Sequence, residues 1–336
     1  MSKVVSSLPV FAQDAKPNPN FTRHTAAFHP SIWGDYFLSH DASFEVSAFP
    51  TMSNFSFIYL EYEDDNDIKQ VQLLKEDIRK MIVSPIDNNF SFKLNFINFV
   101  QRLGISYHFE HEIDGALHQI YNNSTKDNNI ITYDDDLHHL ALLFRLLRQH
   151  GYRISSDVFC KFKDQTGNFN ERLVDDIHGM LSLYEAAQLR FHGEGILEEA
   201  YNFTLTQLTK SLTTKLSPFL AAQVHHSLEQ SLRRGMPRLE ARYYISFYQE
   251  DPSHDESLLT FAKLDFNMLQ KLHQKEVSRL TKWWNNDLNV STKFPFARDR
   301  IVEACFWILG IYFEPQHSLA RRIMTKVIAI SSIIDD

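Results

Sequence analysis

Glycine and proline are scarce here, 10 and 11 among 336 residues, about half the usual share. Few positions can therefore break or kink a helix. Cysteine is scarcer still. Cys160 and Cys305 stand far apart with no CxxC pair, which excludes a disulfide framework and suits a reducing compartment. No apolar run reaches the roughly 18 residues a membrane span requires. The net charge is −8 and no basic run occurs, which argues against nucleic acid as a partner. Residues 1–20 lack both an apolar core segment and arginine, so neither a secretory signal nor an organelle transit peptide is read there, and a cytoplasmic location is expected. The sequons at Asn20 and Asn202 are then chance matches. Phosphate-loop, nucleophile-elbow and zinc spacings are missing. His108 and His111 in "YHFEHEI" fit no metalloprotease pattern, and His225 and His226 would diverge on a helix.

What is present is one amphipathic stretch after another. Residues 1–30 read as a loop-like segment broken by Pro17, Pro19 and Pro30. In "DIKQVQLLKEDIRKMIV", Ile68, Val71, Leu74, Ile78 and Met81/Ile82 form one helical stripe. "FSFKLNFINFVQRLG" stops on Gly104, and "YDDDLHHLALLFRLLRQHGY" has aspartates for an N-cap and stops on Gly151. "RLVDDIHGMLSLYEAAQLRF", "ILEEAYNFTLTQLTKSL" and "PFLAAQVHHSLEQSL" continue the series. With no alternating strand series, the fold class is all-α. Helices paired in this way suggest an α-barrel of antiparallel hairpins, although periodicity alone does not separate that from a bundle. A polar, acidic stretch at Asp251-Pro252-Ser253 separates residues 31–250 from residues 251–336. The second block reads as a long helix to "TKWW", a loop to Pro295, the apolar helical stretch "RDRIVEACFWILGIYF", a turn at Glu314-Pro315 and a terminal helix.

Three features of the second block bear on chemistry, each with an ordinary alternative. Asp335 and Asp336 follow "VIAISSII". They are a frayed, solvated end, or they line a polar cavity and bind a cation. A metal site needs a further acid at i+4, because residues four apart share a helical face; that position, 339, lies past the last residue. The same geometry puts Ile328, Ser331 and Ser332 below Asp335 as cavity walls. Arg298 and Arg300 flank Asp299 where a loop enters a helix. Forked donors two apart, beside the free N–H groups of a helix start, can clamp a phosphate; the alternative is a surface ion-pair cluster with Asp299 and Glu303. Trp307, in an almost wholly apolar helix, is core, or an indole face that stabilises a carbocation by ~2 kcal/mol when desolvated.

Taken together, these residues resemble the plant terpene synthases, in the cytosolic sesquiterpene synthase branch. The resemblance runs from Phe28 to Asp336. "RHTAAFHPSIWGDYFL" is similar to the family's N-terminal arginine element, with Arg23 and Trp33 at the matching positions and His24 where arginine or proline is usual. "FVQRLGISYHFEHEI", "LLFRLLRQHGYRISSDVFCKFKD", "HSLEQSLRRGMPRLEARYYISFY" and "RDRIVEACFWILGIYFEPQHSLARRIMTKVIAISSIIDD" carry it further.

The resemblance implies an N-terminal α-barrel with little direct catalytic role, then the first helices of a class I terpene synthase domain. It implies Mg²⁺, with Mn²⁺ as the alternative ion and three ions in a complete enzyme. The substrate would be farnesyl diphosphate, cyclised to a sesquiterpene with release of diphosphate by a monomeric lyase. Asp335 and Asp336 match the first two letters of the DDxxD motif, Asp335 as a direct metal ligand and Asp336 as a supporting hydrogen-bonder. Arg298 and Arg300 match the RxR element that traps diphosphate, and Trp307 a pocket-floor aromatic. The last acid of DDxxD, the second metal motif and the class II DxDD signature do not occur in the sequence. A second expectation therefore stands beside the first: a truncated, inactive remnant of such an enzyme, with the apolar faces of "IVEACFWILGIYF" and "VIAISSII" left without packing partners. A helical-repeat scaffold would need a fixed period, and none is found.

Overall fold

A computed structural model describes residues 29–39, 65–85, 90–125, 136–213 and 216–336. Among them the chain is helical, and a single isolated bridge, Lys163 to Phe169, stands outside the helices. The α-helices are α1 (Asp65–Val83), α2 (Phe90–Arg102), α3 (Glu110–Thr125), α4 (Leu137–Gln149), α5 (Ile177–Ala187), α6 (Gly195–Ser211), α7 (Pro218–Glu229), α8 (Pro237–Gln249), α9 (Glu256–Lys282), the short α10 (Val290–Lys293), α11 (Ile301–Leu309) and α12 (Ser318–Asp335).

Helix α4 forms the centre of the first block. Asp136 caps it by accepting from His139 N at 2.9 Å, which satisfies one of the free donors at the helix start. Its residues from Leu140 to Leu147 are all buried, Arg145 included, so α4 is enclosed on every side. Helix α5 packs along it, and Gly179 is where they meet: a Cβ there would lie 3.1 Å from Leu137 Cβ. Gly104 ends the α2 region at φ +77, and a Cβ on it would stand 2.7 Å from Ala241 Cβ of α8. Lys93 is buried, yet its ammonium sits within 2.6 to 2.8 Å of the carbonyls of Met81, Ile82 and Ser84. It closes the C-terminus of α1, where a cation is favoured.

Two stretches depart from the periodic pattern. "RLVDDIHGMLSLYEAAQLRF" is not one helix. A 3₁₀ turn covers Glu171–Asp175, and Asp176 restarts the chain by accepting from Gly179 N at 2.8 Å. Its short carboxylate competes with the helical ladder, as Asp side chains do. In the second block α11 stops at Leu309, although the apolar pattern continues to Phe313. The carbonyls of Tyr312, Phe313 and Glu314 are held by side chains of other elements.

Helix α9 belongs to both parts of the molecule. Leu258, Phe261 and Ala262 lie in the large core of the first block. Val277 and Leu280 lie in a smaller cluster with Trp284, Val290, Ile301, Cys305 and Ala329. Residues 31–39 form turns whose Phe37 packs against this second cluster, where Ala297 and Ile333 also pack. Phe37 is thus carried to the part of the molecule that holds Ala297 and the last helix.

Candidate functional site

Helices α11 and α12 pack as an antiparallel hairpin, which returns the end of α12 to the start of α11. The clearest consequence is a hydrogen bond across the mouth of the hairpin: Arg298 N donates to Asp336 Oδ2 at 2.9 Å. Two motifs 38 residues apart thereby meet, the arginine pair and the terminal acid pair. Asp335 is exposed on the last turn of α12, while Asp336 is half-buried.

Ser332 and Ile328 are half-buried on the turns below. The Ser332 hydroxyl donates back to Ala329 O at 2.8 Å, and its carbonyl accepts from Asp336 N at 3.0 Å. Arg298 is exposed, and Arg300 is the half-buried residue from which α11 starts. Between them Asp299 faces inward and accepts a long bond from Ile301 N at 3.4 Å. Burial and the neighbouring Glu303 push the Asp299 carboxyl above the usual range. Glu303 Oε2 itself is buried without a hydrogen-bond partner.

Trp307 is not a core residue. It is 52% exposed, whereas Cys305 and Ile308 on the other side of α11 are buried. Phe306 and Ile311 stand exposed beside it, and Ile323, Val327, Ile330 and Ile334 of α12 form an exposed stripe. The α11–α12 hairpin therefore leaves apolar side chains of both helices exposed, the Trp307 indole among them. Trp33 lies within 6.0 Å of Phe37, tilted, and is 40% exposed. Arg23 and His24 lie outside the described residues.

Asp335 and Asp336 are hard oxygen donors of the kind Mg²⁺ prefers. Their type fits the ion but their number does not. Adjacent residues diverge on a helix, one Asp336 oxygen is already engaged with Arg298 N, and no group of three or more acids, histidines or cysteines that could hold a metal occurs among the described residues. Taken alone, the two carboxylates fall short of a complete set of metal donors.

Sequence reasoning missed two partners. The Arg298 amide is one, and no side-chain pattern announces it. The docking of Phe37 is the other; its aromatic neighbours in "SIWGDYF" were the available signal.

The family model for the terpene synthase N-terminal domain matches residues 32–228, and that for the terpene synthase metal-binding domain matches residues 286–336. This chain belongs to the terpene synthase family. It is 54% identical over 319 residues to probable terpene synthase 2 of Ricinus communis, covering 95% of this chain and 54% of that protein. It is 50% identical over 333 residues to the (−)-germacrene D synthase of Vitis vinifera, covering 99% and 56%. Among solved structures it resembles isoprene synthase from grey poplar leaves (Populus x canescens) in complex with three Mg²⁺ ions and dimethylallyl-S-thiolodiphosphate. There the TM-score is 0.76 at 39% identity, over 81% of this chain and 51% of that one. The chain spans about half the length of the relatives it matches. The all-α fold agrees with that of these neighbours, and no helix among the described residues is long and apolar enough to cross a membrane.

Proposed function

We propose that this chain is the first half of a sesquiterpene synthase, which ionises farnesyl diphosphate with Mg²⁺, cyclises the hydrocarbon and releases diphosphate. The Arg298 N to Asp336 Oδ2 contact carries this reading, because it brings the end of α12, with its acid pair, to the loop that bears the arginine pair. When bound, Mg²⁺ supplies Lewis-acid polarisation of the diphosphate. Asp335 would be the direct ligand from this chain. Asp336 holds the loop bearing Arg298 and Arg300, and those two guanidiniums retain the departing diphosphate with forked donors. Trp307, with Ile328 and Ser332, walls the cavity in which the cation rearranges, its indole face stabilising positive charge. The relatives this chain matches are nearly twice its length, and a complete enzyme of this kind would draw its remaining metal ligands from the part this chain does not span. We assign residues 31–250 to the N-terminal domain and residues 251–336 to the start of the catalytic domain, in a monomeric, cytosolic enzyme.

A second reading applies to the 336 residues taken alone: a protein without turnover. The shortage of metal donors among the described residues favours it. One experiment addresses both. The chain is spliced at Asp336 to the remaining length of the Vitis vinifera relative and incubated with farnesyl diphosphate, in parallel with the unspliced chain. The expected result is a Mg²⁺-dependent terpene from the spliced protein and none from the unspliced one. A spliced protein that folds and yields no terpene contradicts the first reading, and metal-dependent product from the unspliced chain contradicts the second.

A further inference from the structure

Three consecutive carbonyls in the turn after α11 are held by side chains from other elements. Arg321, in the first turn of α12, donates Nη1 to Tyr312 O at 3.2 Å and to Glu314 O at 2.5 Å. Between them, His273 of α9 donates Nε2 to Phe313 O at 2.9 Å. Arg321 is itself fixed by two bonds of 2.8 Å to Glu276 of α9, both side chains being buried. The Phe313 ring leaves the turn and enters a small apolar cluster with Tyr107, Leu269 and Leu272. It lies edge-on to Tyr107, centroids 5.8 Å apart at 87°.

Tyr107 comes from the first block, in the 3₁₀ turn Ser106–His108 between α2 and α3. Its hydroxyl donates to Asp265 Oδ1 of α9 at 2.5 Å. The same oxygen lies 2.7 Å from His108 Nε2, and Lys75 Nζ of α1 lies 3.2 Å from His108 Nδ1. An ammonium only donates, so the network assigns acceptance to Nδ1 and the proton to Nε2. Burial holds Lys75 and His108 below their ordinary values, in keeping with a neutral imidazole between the lysine and the carboxylate. A continuous set of contacts therefore runs from α1 through Asp265 and Tyr107 to Phe313.

We infer that Asp265 and Tyr107 are positioning residues, through which the first helical block sets where the α11–α12 turn sits and hence how α11 presents Trp307. Apolar packing alone is non-directional and lets elements slide. Bonds to three successive carbonyls, with a ring seated behind them, fix both register and tilt. The significance of this for turnover rests on the reading above, but the coupling itself does not. It gives the N-terminal block a role that needs no contact with substrate.

The tryptophans make the coupling measurable. Trp283, Trp284 and Trp307 lie in the second block, and Trp33 lies beside Phe37, which packs on it. Tryptophan fluorescence thus reports the second block, while far-ultraviolet ellipticity is dominated by the helices of the first. In urea titrations of the 336-residue chain, the two curves coincide for the wild type. In Tyr107→Phe and Asp265→Asn the fluorescence midpoint falls below the ellipticity midpoint, and amides 310–317 exchange with deuterium about ten-fold faster or more. Leu143→Ala, in the core of the first block, lowers both midpoints together. If Asp265→Asn does not fold, Tyr107→Phe, which removes one oxygen, decides the question. Separate transitions in the wild type, coincident ones in Tyr107→Phe with unchanged exchange at 310–317, or an equal split in Leu143→Ala each overturn the inference. No substrate or metal enters, so its failure is distinguishable from failure of the catalytic reading.

Discussion

Helices α4 and α12 are both strongly apolar, yet they end in opposite situations. Helix α4 is enclosed from Leu140 to Leu147. Helix α12 buries Arg321, Thr325 and Ala329 along one side and leaves Ile323, Val327, Ile330 and Ile334 exposed on the other. The difference lies in the partners around them and not in apolar content. The first block surrounds its central helix. The second turns an apolar face outward, beside the site where the acids and arginines meet.

Truncation is the most forceful way to break the comparison. Phe144→Ala, at a fully buried position of α4, should cost about 3–5 kcal/mol in urea unfolding. Ile330→Ala, half-exposed on α12, should stay within about 0.5 kcal/mol. Equal losses would mean that the face of α12 is covered. Next in size is the buried ion pair that anchors α12. Arg321→Met leaves Glu276 buried and unpaired, and should cost about 3–5 kcal/mol by the same measurement.

A third test compares acids. Glu185 of α5 is enclosed, with one oxygen lacking a partner, and burial pushes its carboxyl up to about 7. A carboxyl raised on folding binds its proton more tightly in the native chain, so stability falls as pH rises from the unfolded value near 4.5 through about 7. Glu185→Gln keeps an acceptor for Leu232 N, the bond now made at 3.0 Å. It should match the wild type at about pH 4 and exceed it by about 3 kcal/mol at about pH 8. A pH-independent difference would contradict the assignment. Asp335, exposed on α12, should show the smallest effect, with Asp335→Ala leaving stability within about 0.5 kcal/mol.

Most of the helices were legible because so few residues interrupt them, and α4 was legible with its cap and its glycine stop. The acid and arginine pairs could be named from spacing. Their meeting could not, since it depends on the register of the α11–α12 hairpin and ends on a backbone amide. His108 matched no metal spacing, and its actual role depends on Asp265, 157 residues away. An acid among Phe261, Ala262 and Leu269 on the buried side of α9 was the available sign, since a carboxylate there needs partners. The end of α11 at Leu309 falls short of its apolar pattern, and the carbonyls of Tyr312, Phe313 and Glu314 beyond it are held by Arg321 and His273, partners that no local pattern announces.

On the proposed function, Asp335 serves the chemistry of a diphosphate site and not the stability of the fold. The most direct measurement is turnover of farnesyl diphosphate with Mg²⁺ by the spliced protein and its Asp335→Ala variant, with products read by gas chromatography. A folded variant with no terpene above background is the expected result. Undiminished product from Asp335→Ala would contradict it.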